Sequence, residues 1–210
     1  MYTMSMKLIG SLCSCIWLVM AVSTLAQTSD DSNAVLDTAG QALQSGVDYY
    51  INPAITDSGG RFTLINRTGC PLNVGQENVS GPEGLPVTFS PFVEGETVVR
   101  EGRDQKITFS ASTICVQSTA WKVGETDQDT QRRLIITGED ENQGLPGPAG
   151  NYFRITKQAT LDGVYNLEWC PTEVCPTCRF ICGSVGAIVE NDKRLLALDG
   201  SALPVVFERA

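Results

Sequence analysis

The feature that most constrains the fold is a series of short runs in which apolar and polar residues alternate. In "VYNLEW" (164–169), for example, Tyr165, Leu167 and Trp169 fall on one side, with polar residues between them. A repeat of two residues is typical of a β-strand that buries one face. The other β-prone runs are "DYYIN" (48–52), "RFTLIN" (61–66), "KITFS" (106–110), "TAWKV" (119–123), "RLIIT" (133–137), "YFRIT" (152–156), "GAIVE" (186–190), "KRLLAL" (193–198) and "PVVFE" (204–208).

Helix signals are scarce by comparison. No window shows a sustained apolar period of 3.6 residues with capping residues at its ends. Short strands that recur about every 8–12 residues, with Gly, Pro and Asp between them, indicate an antiparallel sandwich or barrel. A barrel is favoured because a closed sheet has no exposed edge strand. We therefore predict an all-β fold.

The amino-terminal residues have the layout of a secretory signal peptide. Lys7 precedes an uncharged, apolar run over residues 8–21, and the sequence Thr24-Leu25-Ala26 suits cleavage after Ala26. The run is shorter than the ~20 apolar residues that a membrane-spanning helix needs. We predict a signal peptide over residues 1–26, a single domain over 27–210, and export to the extracellular space (apoplast) or the vacuole.

Composition excludes several classes of function. Removal of residues 1–26 takes away one basic residue, Lys7, so the net charge changes from −9 to −10. An acidic chain is a poor partner for nucleic acid or an anionic membrane. The chain contains no histidine, which removes Ser-His-Asp and Cys-His catalysis in their usual forms. We expect no enzyme activity, no cofactor and no metal.

The cysteines indicate a disulfide framework. Cys13 and Cys15 leave with the signal peptide, and six cysteines remain, four of them within "CPTEVCPTCRFIC" (170–182). Such a run could hold an iron–sulfur cluster or zinc, or serve as a redox centre. Export to an oxidising compartment favours disulfides instead. The spacing alone does not decide which cysteines pair.

Eight blocks of the sequence stand out, beginning with "VLDTAGQALQSGVDYYI" (35–51). The later blocks are "GCPLNV" (69–74), "GLPVTFSPF" (84–92), "TAWKV" (119–123), "NYFRI" (151–155), "YNLEWCPT" (165–172), "CGSVGAIV" (182–189) and "KRLLALDGSALPVVF" (193–207). In this order they resemble the plant Kunitz-type protease inhibitors of the soybean trypsin inhibitor family, and the first is similar to the amino-terminal signature of that family.

The resemblance implies a β-trefoil, in which six strands close a short barrel and three hairpins cap one end. It also implies a disulfide between Cys70 and Cys115. The four-cysteine run is similar to that of miraculin-like members of the family. That likeness implies nested pairs, with Cys170 joined to Cys182 and Cys175 joined to Cys178.

The resemblance places an inhibitory loop between the fourth and fifth strands. It covers Ser90, Pro91, Phe92, Val93, Glu94 and Gly95. Family members present this loop to a protease as an extended, substrate-like segment, with Val93 at the specificity pocket and Glu94 after it.

Two departures weaken trypsin inhibition through this loop. Trypsin's pocket ends in a carboxylate, which Val93 would leave unpaired. The family usually supports the loop with an asparagine, and Ser45 occupies the matching position here. The hydroxyl of Ser45 cannot make the two contacts of an amide. We expect weak or absent trypsin inhibition and a preference for a small apolar pocket such as that of elastase.

Two glycosylation motifs are present, Asn66-Arg67-Thr68 and Asn78-Val79-Ser80, and both are candidate glycan sites in an exported protein. The partner predicted from the resemblance is an endopeptidase, of serine type first and of cysteine or aspartic type second. The alternative is a non-inhibitory storage, defence or binding protein on the same fold. We expect a monomer.

Overall fold

The structure is a computed structural model that describes residues 33–55, 57–139 and 149–210. Apart from Asn33, these residues belong to one compact unit, Ala34–Ala210. The predicted signal peptide over residues 1–26 lies outside the described residues.

The described residues form thirteen β-strands and one short 3-10 helix, Ala149–Asn151. The strands, in chain order, are β1 (Tyr49–Pro53), β2 (Phe62–Ile65), β3 (Asn73–Gln76), β4 (Val87–Pro91), β5 (Gln105–Phe109), β6 (Trp121–Thr126), β7 (Arg133–Thr137), β8 (Tyr152–Lys157), β9 (Tyr165–Trp169), β10 (Gly183–Ser184), β11 (Gly186–Glu190), β12 (Lys193–Ala197) and β13 (Val205–Arg209). All ten runs predicted from alternation form strands.

Three strands escaped the prediction from alternation: β3, β4 and β10. All four residues of β3 are buried, so this strand shows no polar face. Position 75 of this strand requires glycine, because a Cβ there would lie 2.3 Å from the Arg194 carbonyl oxygen of the neighbouring strand β12. Proline ends β4 at Pro91, and β10 contains two residues, too few for a period.

Six strands close into a barrel in the order β9, β13, β1, β4, β5 and β8, and an antiparallel pairing of β8 with β9 completes the ring. Long pairings alternate with short ones around this ring. For example, β4 and β5 pair over five residues each, whereas β1 meets β4 at the single pair Tyr49↔Val87. Because the ring is closed, every barrel strand pairs with a neighbour on both sides, and the barrel has no free edge.

Three hairpins cap the barrel: β2–β3, β6–β7 and β11–β12. The strands β3, β7 and β12 pair with one another in a triangle. Each third of the chain therefore supplies two barrel strands and one hairpin between them. This arrangement confirms the β-trefoil.

The core lies inside the barrel and beneath the cap. Each barrel strand turns two apolar side chains inward, in keeping with its period of two. These residues, none more than 2% exposed, are Tyr49, Ile51, Val87, Phe89, Ile107, Phe109, Phe153, Ile155, Tyr165, Leu167, Val205 and Phe207. Trp121 is fully buried in the core, and its ring centroid lies 5.8 Å from that of Phe109 and 5.9 Å from that of Phe153.

The three hairpins are also joined by an ion-pair cluster around Arg67. The guanidinium of Arg67 lies 2.6 Å from a carboxylate oxygen of Asp127 and 2.6 Å from one of Glu190. Hydrogen bonds to Glu190 and Asp127 raise the pKa of Arg67. The hydrogen bond from Arg67 and the amide of Thr130 hold the pKa of Asp127 well below its ordinary value. One residue from each third of the chain takes part, so the cluster ties the three units together.

The described residues contain three disulfides, and they join the same cysteines that the family resemblance implies. Cys70–Cys115 connects two loops that are 45 residues apart. Cys170–Cys182 encloses Cys175–Cys178 in the loop that joins β9 to β10. The cysteine-rich run is therefore a hairpin loop held by two nested disulfide bonds.

Candidate functional site

The long connection between β4 and β5, residues 92–104, projects from the end of two paired barrel strands. Its base is closed by the last strand pair, Pro91↔Gln105, and by a hydrogen bond of 2.8 Å from the Phe92 amide to the Asp104 carbonyl. The side chains of Phe92 and Val93 are 40% and 41% exposed, although both are apolar. We call residues 92–104 the β4–β5 loop. It contains most of the residues predicted for the inhibitory site.

The tip of this loop is a tight turn. The Glu96 amide donates to the Val93 carbonyl over 3.3 Å, and Gly95 has a φ of +85°. A positive φ at the third residue of a turn suits glycine, because any other L-residue is strained there. The family resemblance implies an extended segment through Val93, Glu94 and Gly95. The structure instead closes the chain on itself between Val93 and Glu96, with Glu94 exposed at the bend.

The amino-terminal segment supports one side of the loop. The Ser45 amide donates to the Thr97 carbonyl over 2.8 Å, and the Val99 amide donates to the Leu43 carbonyl over 2.9 Å. The hydroxyl of Ser45 donates to the Phe89 carbonyl on β4 over 3.2 Å. The backbone of Ser45 therefore holds the loop, while its side chain holds the strand that precedes the loop.

The cysteine-rich hairpin loop supports the other side through a reciprocal pair of hydrogen bonds. The carboxylate of Glu173 accepts from the Asp104 amide over 2.7 Å, and the carboxylate of Asp104 accepts from the Glu173 amide over 2.7 Å. The Val174 amide also donates to Asp104, over 3.1 Å. The side chain of Asp104 is fully buried and is neutralised by Arg154, whose Nε lies 2.5 Å from Oδ1. We call Asp104, Glu173 and Arg154 the carboxylate clamp.

A chain of charges continues from the clamp to the tip. Arg103 lies 2.6 Å from a carboxylate oxygen of Glu173 and 3.3 Å from one of Glu96. Glu96, the last residue of the tip turn, is thus linked through Arg103 to the cysteine-rich loop. Sequence reasoning missed this set, because Asp104 and Glu173 are 69 residues apart and the cysteine spacing around Glu173 carries no signal that points to Asp104.

Both residues predicted as glycan sites are exposed. The side-chain oxygen of Asn66 accepts from the Gly69 amide over 2.9 Å. The side-chain nitrogen of Asn78 donates to the Asp192 carbonyl in the β11–β12 turn over 2.8 Å. That turn belongs to the cap, not to the β4–β5 loop.

Within residues 33–55, 57–139 and 149–210, no three His, Cys, Asp or Glu side chains lie close enough to hold a metal ion. In the same ranges no helix has the length and apolar character needed to cross a membrane.

Comparisons with known proteins define the family. The sequence model of the Kunitz_legume family, described as "Trypsin and protease inhibitor", matches residues 35–209. The chain is 48% identical over 196 residues to Kunitz type trypsin inhibitor 111 of Medicago truncatula, covering 92% of this chain and 93% of that protein. It is 34% identical over 200 residues to miraculin of Synsepalum dulcificum, covering 91% and 89%.

A solved structure supports the same family. The Kunitz-type cysteine protease inhibitor PCPI-3 from potato superposes with a TM-score of 0.70 at 33% identity, over 84% of this chain and 97% of that one. The chain belongs to the plant Kunitz family of trypsin and protease inhibitors.

Proposed function

We propose that this protein is a secreted protease inhibitor that binds an endopeptidase through the β4–β5 loop, with Val93 in the specificity pocket of the enzyme. The observation that carries the proposal is the loop itself. It projects two exposed apolar side chains, Phe92 and Val93, from a base that is held on both sides. The family to which the chain belongs supports the same function.

The bracing explains how such a loop could inhibit an enzyme instead of being digested. Binding costs about 0.5–1.5 kcal/mol for each side chain that becomes ordered. A loop that is already held by Ser45 and by the carboxylate clamp has less freedom to lose. If the bond after Val93 is cut, hydrogen bonds on both sides of the loop keep the new ends close, so the ends can rejoin.

The side chain at the tip favours a serine protease with a small apolar pocket. Valine fits such a pocket, and elastase is the model case. In trypsin the same side chain would leave the pocket carboxylate buried and unpaired, which costs about 3–5 kcal/mol. Cysteine and aspartic endopeptidases are the second choice, and the potato neighbour of this chain is named as a cysteine protease inhibitor.

The remaining parts of the proposal concern location and form. The signal-peptide pattern supports export to the extracellular space or the vacuole, and the three disulfides suit an oxidising compartment. Asn66 and Asn78 are the proposed glycan sites. The protein acts as a binding partner of an enzyme and not as an enzyme, because the chain lacks histidine and thus the commonest general base. It acts as a monomer.

One observation favours a second candidate, a non-inhibitory storage, defence or binding protein. The tip turn folds residues 93–96 back on themselves, whereas a protease cleft takes an extended segment. A protease would have to break the hydrogen bond between Val93 and Glu96, or bind the chain before the turn. The likeness to miraculin supports this candidate less directly.

Titration of the mature protein against elastase, chymotrypsin, trypsin, papain and pepsin tests the proposal. We expect inhibition of elastase that is lost in Val93→Asp, because the new charge would be buried in an apolar pocket. Val116→Asp is the matched control, since Val116 is a fully exposed valine on a different loop. Absence of inhibition across the whole panel would favour the storage or binding protein.

A further inference from the structure

The cysteine-rich hairpin loop carries a second exposed segment, residues 178–182 ("CRFIC"). We infer that Arg179 is the specificity residue of a second protease-binding segment, which takes a serine protease with a carboxylate at the base of its pocket. This inference rests on the proposed function, because it assumes the same substrate-like mode of binding, and it extends that function to another loop and another class of enzyme.

Two disulfides restrict this segment at both ends. Cys182 is joined to Cys170, directly beyond the strand pair Trp169↔Gly183, so the disulfide continues the ladder between β9 and β10. Cys178 is joined to Cys175, three residues earlier. Three residues, Arg179 to Ile181, therefore lie between two cross-linked positions. Cross-linking removes conformations from a loop before it binds, which lowers the ordering cost on docking.

The side chains of the segment alternate between the protein and solvent. The ring of Phe180 packs edge-on against Trp169, with ring centroids 5.3 Å apart. Trp169 is itself fixed, because its indole nitrogen donates to the Ala149 carbonyl over 3.0 Å. Arg179 and Ile181 on either side are exposed, Ile181 by 80%. One inward aromatic thus anchors the backbone while the neighbouring arginine points away.

The charge of Arg179 is available to a partner. Within the described part of the chain, none of the ion pairs or hydrogen bonds involves its guanidinium. The acidic residue of the same loop, Glu173, is already bound to Arg103 and to the Asp104 amide. A guanidinium pairs with a buried carboxylate through two parallel hydrogen bonds, which is the chemistry of a trypsin-like pocket.

Cleavage of the cysteine-rich hairpin loop after Arg179 would leave both new ends attached to the protein. Hydrolysis of the Arg179–Phe180 bond consumes one water and leaves a carboxylate on Arg179 and an amine on Phe180. The Arg179 end would stay tethered through Cys178, and the Phe180 end through its ring contact and Cys182. The clamp on Glu173 holds the first half of the loop in place. Tethered ends favour religation over release.

Trypsin inhibition reports on this segment selectively, because Val93 cannot pair with the pocket carboxylate of trypsin. The experiment measures inhibition constants of the mature, oxidised protein for trypsin and elastase. The variants are Arg179→Ala, Arg179→Lys and the control Arg209→Ala, which removes another exposed arginine, at the end of β13.

The weak or absent trypsin inhibition expected from Val93 concerns the β4–β5 loop alone. Through Arg179 we expect the wild-type protein to inhibit trypsin, Arg179→Ala to weaken that inhibition by at least ~100-fold, and Arg179→Lys to retain most of it. Arg209→Ala should match the wild type, and elastase inhibition should be unchanged in every variant. The inference is overturned if wild-type protein leaves trypsin fully active, if Arg179→Ala inhibits as well as wild type, or if trypsin simply digests the loop after Arg179 and turns over.

The elastase measurement separates the two proposals. Elastase inhibition without trypsin inhibition refutes the second segment and leaves the β4–β5 loop as the inhibitory site. Trypsin inhibition that depends on Arg179, without elastase inhibition, supports the second segment and refutes the role of Val93.

Discussion

The replacement Glu173→Ala tests whether the cysteine-rich loop holds the β4–β5 loop in place. It removes the acceptor of the Asp104 amide and one partner of Arg103. Because Asp104 is 1% exposed, its amide would be left without a partner and without water, at a cost of about 1–3 kcal/mol. The ion pair adds less, about 0.2–1 kcal/mol, since Arg103 and Glu173 are 35% and 28% exposed.

A local loss of this size has a direct readout in amide hydrogen exchange. We expect the Asp104 amide to exchange faster by about 5- to 150-fold, since 1.4 kcal/mol corresponds to a factor of ten. The Phe92 amide should follow, because its acceptor is the Asp104 carbonyl. The inhibition constant for the enzyme that binds Val93 should weaken by about tenfold, because the loop must then be ordered on docking.

Two further variants control this experiment. Glu173→Gln should recover part of the protection, since an amide oxygen can still accept from Asp104. Glu208→Ala removes a carboxylate that pairs with Arg61 elsewhere on the surface and is 46% exposed, so it should change neither exchange nor inhibition. Unchanged exchange at Asp104 and Phe92 in Glu173→Ala would refute the bracing role of the clamp.

Three other perturbations follow from the structure. Because folding lowers the pKa of Asp127, the stability that its ionised carboxylate contributes is present above the unfolded pKa of ~3.9 and is lost as the pH falls through the folded value. Asp127→Asn should therefore lower the free energy of unfolding by about 1.5–3 kcal/mol at neutral pH, with a gap that closes in acid; urea unfolding that shows a constant gap would contradict this. Replacing both Cys70 and Cys115 by serine should cost about 4 kcal/mol, because the bond closes a loop with a sequence separation of 45, and an unchanged denaturation midpoint would be the opposing result. Gly95→Ala should cost about 1–2 kcal/mol, since φ is +85° and nothing lies within 4 Å of a new Cβ; a midpoint equal to that of the wild type would rule out the turn.

Alternation in the sequence was sufficient to predict most of the strands, because barrel strands with one buried face impose a period of two. It missed β3, which is buried on both faces and carries Gly75 for close approach to β12. The threefold arrangement came from the family resemblance, since pairing between distant strands leaves no local signal.

The position of the candidate loop was also predicted, but its conformation and support were not. The turn depends on the positive φ of Gly95. The sequence does not predict this φ, because glycine also adopts the extended conformation. The clamp between Asp104 and Glu173 joins residues that meet only after the barrel closes. The sequence carries no signal for Arg179, because the contact of Phe180 with Trp169 that fixes the neighbouring backbone forms only in the folded protein.

Mapping the bond that a bound protease attacks tests the central claim most directly. The mature protein, incubated with a catalytic amount of elastase until cut and intact forms equilibrate, would be reduced and analysed by mass spectrometry. The account predicts one cut, between Val93 and Glu94, in a protein that still inhibits before reduction. Elastase inhibition accompanied by a cut at any other bond, or a cut after Val93 that abolishes inhibition, would contradict it.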